Sequence, residues 1–139
     1  MNKALLDTDT LSEALRGVNP TVVRNVYAYR SVFGCLTTSV VTVMEMVKGL
    51  QKVQRPAKIA SLLVLLESAE VIEIDRPVAE TAGLIWGDLE RTGQTIGVAD
   101  PMIAAIALRH GLELVTGNTA HYQRVQRLGY PLRLANWRT

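Results

Sequence analysis

The sequence predicts an α/β fold in which helices cover both faces of a central, mainly parallel sheet. Short apolar runs with the lengths of strands alternate with longer helical patterns along the whole chain. The strand runs have four or five residues and are rich in Val, Ile and Leu, as the buried strands of a parallel sheet require. The 139 residues contain no internal repeat, low-complexity segment or linker. We therefore expect one domain over residues 1–139.

The first half of the chain is predicted to form two strands and four helices. In chain order they are a strand at 3–6, helices at 8–17 and 20–33, a strand at 35–39, and helices at 41–50 and 54–67. Thr10 and Glu13 have the spacing of a capping box, and so do Thr42 and Glu45. Gly17 is a suitable helix C-terminus.

Apolar spacing predicts which faces of these helices are buried. In the second helix Val22, Val23, Val26 and Tyr27 recur at helical intervals. The fourth helix is expected to turn a leucine-rich side inward, made of Leu62, Leu63, Leu65 and Leu66.

The second half is predicted to alternate strictly. A strand at 71–74 precedes a helix at 77–91, and a loop then leads to an apolar helix at 100–109, a strand at 112–116, a short helical turn at 118–125 and a last strand at 132–136. The apolar helix opens on Asp100 and Pro101. Asp is a favoured N-cap and Pro suits the first helical position, so Asp100 is predicted to cap this helix.

Charge is small in total and uneven along the chain. The chain has 15 Lys and Arg residues and 13 Asp and Glu residues, which gives a formal net charge of +2. This charge alone does not indicate a nucleic-acid-binding protein. After Pro101 the only acid is Glu113, and the basic residues are Arg109, Arg124, Arg127, Arg133 and Arg138. This basic quarter is compatible with a polyanionic partner and equally with scattered solvated arginines.

The cysteine count and the apolar runs limit the compartment and the class of protein. A single cysteine, Cys35, forms no internal disulfide, and its small apolar neighbours favour a packed thiol over a nucleophile. No run has the length of a signal peptide, and the apolar stretch at 61–67 is too short for a bilayer. We expect a cytoplasmic protein without membrane contact.

Four polar residues occupy positions from which they could meet. Asp7 follows the first strand and Asn118 follows the strand at 112–116, while Glu45 and Asp100 stand in the first turns of helices. In an open parallel sheet, sites form at the carboxyl ends of strands, and helix N-termini can gather at the same edge. We therefore expect these side chains to converge.

Each of the four also has an ordinary structural explanation. Asp7 and Asn118 suit turns, Glu45 could close a capping box, and Asp100 could simply cap its helix. If they converge, however, three carboxylates repel one another and a divalent cation would relieve that repulsion. Mg²⁺ prefers oxygen ligands, and helix N-termini bind phosphate. The pattern then predicts metal-assisted phosphodiester chemistry.

Four sequence blocks in order resemble a known family, the PIN-domain ribonucleases, and within it the VapC-type toxins of bacterial type II toxin–antitoxin pairs. The resemblance covers nearly the whole chain and implies a three-layer PIN-like fold. The blocks are LLDTDTLS (5–12), TTSVVTVMEMVKGL (37–50), GQTIGVADPMIAAIAL (93–108) and LVTGNTAHYQRV (114–125), followed by a closing LANW (134–137).

The resemblance implies an endoribonuclease that depends on Mg²⁺ or Mn²⁺ and hydrolyses RNA phosphodiester bonds with a metal-activated water. Asp7 and Asp100 match the principal metal ligands. Glu45 matches the third acid, acting directly or through water, and Asn118 matches the fourth polar catalytic position.

Neighbouring positions are weaker candidates. Thr8, Asp9 and Thr116 could support the site or contact substrate, or could serve only in turns and caps. Asn118 replaces an acid common at its position in the wider family, which lowers the charge of the site. His121 also stands where similar members often carry an acid, and it could contact a phosphate or be a surface histidine.

The resemblance implies partners as well. Family members are usually homodimers, silenced by a VapB-type antitoxin whose C-terminal segment reaches the toxin's active site. Operator DNA is bound indirectly, through the antitoxin. The helices around 22–33 and 62–66 could supply an apolar groove for the antitoxin or could simply pack in the core.

Two other functions remain open. One is a catalytically weak PIN domain that acts mainly as a binding subunit of a toxin–antitoxin repressor complex, which Asn118 and His121 favour and the three retained acids oppose. The other is a PIN nuclease in RNA processing, which the absence of an added RNA-binding domain disfavours.

Overall fold

A computed structural model describes residues 1–139, and a parallel sheet lies at its centre. The strand β1 (Ala4–Leu6) pairs with β4 (Glu113–Val115), which also pairs with β5 (Leu134–Ala135). The strands β2 (Thr37–Ser39) and β3 (Glu70–Ile72) form a second ladder. All three pairings are parallel, as predicted.

Side-chain hydroxyls join the two ladders along a seam between β1 and β2. The buried Tyr29 hydroxyl donates to the Ala4 carbonyl (3.1 Å), accepts from the Ala4 N–H (3.2 Å) and lies 2.8 Å from the Thr37 hydroxyl. The Thr38 hydroxyl donates to the Leu6 carbonyl (3.0 Å). These bonds take the place of a backbone ladder and give the strand order β3-β2-β1-β4-β5.

Seven helices surround the strands, in the order that the sequence predicts. They are α1 (Thr8–Arg16), α2 (Pro20–Phe33), α3 (Val40–Lys52), α4 (Pro56–Leu66), α5 (Arg76–Arg91), α6 (Asp100–His110) and α7 (Thr119–Arg127). None of them combines the length and the apolar character needed to span a membrane.

The core divides into two parts, one on each face of the sheet. Successive strand residues point to opposite faces. Leu5 and Leu114 accordingly pack with α5, α6 and α7, whereas Leu6 and Val115 pack with α1, α2 and α4. The result is a three-layer α/β/α arrangement, which confirms the predicted fold class.

The helix caps differ from those predicted. Asp7, not Thr10, caps α1, because its side chain accepts from the Thr10 N–H (2.8 Å). Ser39 caps α3, so Thr42 and Glu45 do not form a capping box. Each of these helices follows its strand at once, and the last polar residue of the junction therefore becomes the cap. Asp100 is the first residue of α6 and not its cap.

Burial agrees with the apolar spacing only in part. Val22 and Val26 are buried, as are Leu62 and Leu66 of α4. The prediction was wrong for Leu63 and Leu65, which are 46% and 51% exposed, because α4 packs through a single face of residues four apart. Tyr27 is also exposed, and Cys35 is only partly buried.

Candidate active site

A small cavity of about 120 Å³ lies at the carboxyl edge of the β1–β4 pair. Asp7, Glu45, Asp100 and Asn118 all line it, although they belong to four different segments of the chain. The other lining residues are Thr8, Asp9, Ile103 and Tyr122. The topology therefore brings together the four residues that the sequence singled out. No lysine or arginine is among the lining residues.

Asp7 is the most deeply buried acid of the cavity. Its backbone N–H donates to the Val115 carbonyl (3.1 Å), which extends the β1–β4 ladder by one bond. The side chain is 5% exposed. Burial raises the pKa of Asp7, and hydrogen bonds from Thr116 and Thr10 oppose this rise in part. Asp7 thus caps a helix and places a carboxylate in the cavity.

Thr8 holds Glu45 in place. The Thr8 hydroxyl donates to Glu45 Oε1 (2.5 Å) and lies 3.2 Å from the Thr42 hydroxyl. This contact joins the first turn of α1 to α3, so that the third carboxylate is fixed by a neighbouring helix. Asp9, by contrast, is exposed at the edge of the cavity.

Asp100 faces α7 instead of its own helix N-terminus. No side chain caps α6. Asp100 Oδ1 accepts from the Tyr122 hydroxyl (3.1 Å), and Oδ2 lies 3.5 Å from His121 Nδ1. On the other side, a Cβ atom at Gly97 would stand 3.1 Å from Oδ2. The carboxylate is therefore held by Tyr122 and closely flanked by Gly97.

Tyr122 is a neutral donor inside the acidic cavity. Burial is the largest cause that raises its pKa well above the ordinary value, and the negative charges of Asp100, Asp7 and Glu45 raise it further. The phenol consequently keeps its proton at neutral pH and can donate a hydrogen bond to the Asp100 carboxylate.

Asn118 and His121 form a pair at the edge of the cavity. Asn118 Nδ2 lies 2.8 Å from His121 Nδ1, within hydrogen-bond distance. The Asn118 N–H donates to the buried Thr116 hydroxyl (2.9 Å). His121 is half-buried and lies beside two candidate residues, Asn118 and Asp100.

Sequence reasoning missed Tyr122, Ile103 and Gly97. Tyr122 follows Asn118 by four residues and Ile103 follows Asp100 by three, and such pairs share a helix face. That spacing could have indicated both residues. Nothing in the local sequence indicates that Gly97 packs against a carboxylate.

The donor atoms of the cavity suit a hard divalent cation. Four carboxylates, of which Asp9 is exposed at the edge, and one amide offer oxygen ligands, and the lining contains no lysine or arginine; Mg²⁺ prefers oxygen. No three Asp, Glu, His or Cys side chains are close enough to enclose an ion by themselves. The cavity therefore suits an ion that is held by one or two carboxylates, with water and substrate oxygens completing its coordination shell.

Comparisons with known proteins agree with the fold. The family model of the PIN domain matches residues 4–128. The tRNA(fMet)-specific endonuclease VapC of Shigella flexneri is 32% identical over 126 residues, which cover 90% of this chain and 93% of that protein. Ribonuclease VapC10 of Mycobacterium tuberculosis is 30% identical over 134 residues, or 96% of each chain.

Solved structures lead to the same family. The DNA-bound VapBC structure from Salmonella typhimurium contains a chain with a TM-score of 0.81 and 27% identity, and the match covers 99% of both chains. The family model spans most of the present chain, and the relatives cover nine-tenths of it or more. The chain therefore belongs to the PIN domain family.

Proposed function

We propose that this protein is an endoribonuclease toxin of a toxin–antitoxin pair, a single PIN domain that hydrolyses RNA phosphodiester bonds at the cavity described above. One observation carries the proposal: Asp7, Glu45 and Asp100, from three separate segments, line one small cavity that has no lysine or arginine in its lining. The relatives named as ribonucleases support the reaction class.

Asp7 and Asp100 are proposed to hold a Mg²⁺ or Mn²⁺ ion, with Glu45 binding it directly or through a water molecule. When bound, the cation supplies a water of lowered pKa and stabilises negative charge on the leaving oxygen. The oxygen-only donor set supports this assignment.

The other residues of the cavity orient these carboxylates. The Tyr122 hydroxyl donates to Asp100 Oδ1, which leaves Oδ2 available to a ligand. Thr8 fixes one oxygen of Glu45 in the same way. Asn118 and the adjacent His121 stand at the edge of the cavity, where their N–H groups can donate to a phosphate oxygen.

A VapB-type antitoxin and a second copy of the chain are the proposed protein partners, with operator DNA bound through the antitoxin. The support is the match to a VapBC complex whose structure is described as DNA-bound. The outward side of α4 adds an apolar surface for the antitoxin, because Leu63, Val64 and Leu65 are 46%, 65% and 51% exposed. We place the reaction in the cytoplasm, where the RNA is.

The test is cleavage of total bacterial RNA by purified, antitoxin-free protein in Mg²⁺, in Mn²⁺ and in EDTA. Asp100→Asn is the informative variant. Asp88→Asn is the matched control, because it makes the same change on α5 outside the cavity. We expect discrete fragments that require metal, disappear with Asp100→Asn and persist with Asp88→Asn.

Two outcomes would contradict the proposal. Fragments that persist with Asp100→Asn would remove this cavity as the site. Absence of cleavage in every condition, from protein with a cooperative unfolding transition, would favour the binding subunit of a repressor complex.

A further inference from the structure

The side chain of Arg138 lies directly on the backbone of the turn that carries Asn118. A Cβ atom at Gly117 would stand 1.9 Å from Arg138 Nη1 and 2.7 Å from its Cζ. Gly117 has no positive φ, so the glycine is required there for space and not for backbone conformation. Only glycine at this position lets the guanidinium reach the residues between β4 and α7.

Neighbouring contacts hold Arg138 in this place. Its Nε donates to Glu13 Oε2 in an ion pair. Its backbone N–H donates to Asn136 Oδ1 (2.9 Å). The carbonyl of the buried Trp137 accepts from Asn25 Nδ2 (3.2 Å). Contacts of the side chain and of the adjacent backbone therefore both fix the position of the guanidinium.

The terminal amino groups of the guanidinium have no protein acceptor. The bond to Glu13 uses Nε, whereas neither terminal amino group donates to a protein acceptor. The side chain is 39% exposed. An Arg fork with unused donors is well suited to the planar, bidentate recognition of a phosphate.

Arg138 differs in position from Arg109 and Arg133 of the basic quarter, and in its unused terminal amino groups from Arg124, whose Nη1 donates to the Thr95 carbonyl (2.7 Å). Arg133 donates to the Gly111 carbonyl, which precedes β4 and so lies at the edge of the sheet opposite the cavity. Arg109 stands at the last turn of α6, far along the helix from Asp100. Arg138 instead packs against Gly117, which directly precedes Asn118 of the cavity lining.

The acids of the cavity also act electrostatically on Arg138. The hydrogen bond that Arg138 donates to Glu13 is the largest cause that raises the pKa of Arg138, and the charges of Asp9 and Asp7 also raise it. The guanidinium thus lies within the field of the cavity's acids, although the lining itself has no cationic side chain. Every RNA phosphate is negatively charged, so a strand bound at the acids needs a cation beside the cavity to bind its neighbouring phosphate.

We propose that Arg138 is a substrate-positioning residue of the nuclease site, whose guanidinium binds the RNA phosphate next to the scissile one. This inference rests on the proposed function. The competing explanation is that the Arg138–Glu13 pair only fastens the chain after β5 to α1. The two explanations differ in what removal of Glu13 should do.

The test is binding of a single-stranded RNA to the Asp100→Asn protein, which cannot cleave it, at several salt concentrations. We expect Arg138→Gln to weaken binding by about five- to tenfold and to reduce the slope of log Kd against log salt by about 0.7, the value for one phosphate contact on a single strand. Glu13→Gln keeps the guanidinium and, through its amide oxygen, an acceptor for Arg138 Nε, and removes only the charge of the pair, so it should keep both values. Arg133→Gln is the matched control and should also keep them.

Gly117→Ala provides an independent route to the same state. The added methyl group must expel the guanidinium, so this variant should reproduce the affinity and salt slope of Arg138→Gln. Combining the two substitutions should add no further loss, because both remove one contact. Arg138→Lys should retain most of the salt slope, since the charge remains.

The inference is overturned if Arg138→Gln binds RNA like Arg133→Gln, or if Glu13→Gln and Arg138→Gln lower affinity and thermal stability together. Failure of the proposed function would be distinguishable, because the wild type would then not cleave RNA at all.

Discussion

Replacing Asp7 with Asn should abolish RNA cleavage and leave the metal-free protein at least as stable as the wild type. Asp7 is 5% exposed, and its burial disfavours the ionised carboxylate, as the raised pKa indicates. Asn removes that charge. Its side-chain oxygen can still accept from the Thr10 N–H, so that the cap of α1 survives.

Asp7→Ala separates the contribution of the cap from that of the charge. Both substitutions remove the charge, but only Ala also removes the acceptor, at a cost of about 1 kcal/mol. In a chain of 139 residues this corresponds to a Tm about 3–5 °C lower for Asp7→Ala than for Asp7→Asn. Thermal unfolding followed by circular dichroism in EDTA at pH 7 measures the difference.

The pH dependence gives the sign of the charge effect. The pKa of Asp7 in the folded state lies above its ordinary value of 3.8, so the folded protein binds the proton more tightly than the unfolded chain. The wild type therefore gains stability as the pH falls through the folded-state pKa, and the gain is complete below the unfolded value. The advantage of Asp7→Asn should be largest at neutral pH and should shrink toward pH 4.

Two results would refute this reasoning. One is a Tm of Asp7→Asn at pH 7 as low as that of Asp7→Ala. The other is a Tm advantage of Asp7→Asn over the wild type that grows as the pH falls. Added Mg²⁺ tests the metal assignment without any activity measurement, because a ligand that binds the folded state raises Tm. The rise should occur in the wild type and be lost in Asp7→Asn.

Three further outcomes are expected. Tyr122→Phe should lower the free energy of unfolding by about 1–2 kcal/mol in urea titrations, because Asp100 loses a charge-assisted hydrogen bond; an unchanged midpoint would contradict this. Gly97→Ala should lower kcat several-fold with little change in RNA affinity, since the new methyl group would press on the Asp100 carboxylate; wild-type kcat would exclude the crowding. Tyr130→Phe should lower Tm at neutral pH: the phenol lowers the pKa of Asp88, and the stability this contributes is present above the unfolded pKa and lost as pH falls through the folded one. The Tm difference from wild type should therefore vanish at low pH, and a constant difference would argue against the linkage.

The alternation of elements and the convergence of the acids could be predicted because both follow from the parallel topology. Asp7 directly follows β1, Asp100 begins α6, and Glu45, expected in the first turn of its helix, lies in the second turn of α3; the parallel sheet brings all three to one edge. The predicted cap at Asp100 was wrong because of a contact that is distant in sequence. Propensity favours Asp100 as a cap, but the hydroxyl of Tyr122, 22 residues along the chain, holds the carboxylate away.

The remaining contributors depend on contacts that no local pattern encodes. Arg138 reaches the turn at Gly117 only because the chain returns past α1 after β5. Glu45 is fixed by Thr8 of another helix, where the sequence suggested a partner within its own. Sequence periodicity reports which face of an element is buried, not which side chain lies opposite.

The seam between β1 and β2 affects how genetic data on this protein should be interpreted. Asp7 directly follows β1, and Glu45 lies on the helix that directly follows β2, so the hydroxyls of Tyr29 and Thr38 set the distance between two acids that they do not touch. A screen for loss of toxicity would recover substitutions at Tyr29 and Thr38 together with those at the acids. Inactivating substitutions should therefore be found at core residues of this seam as well as at the residues that line the cavity.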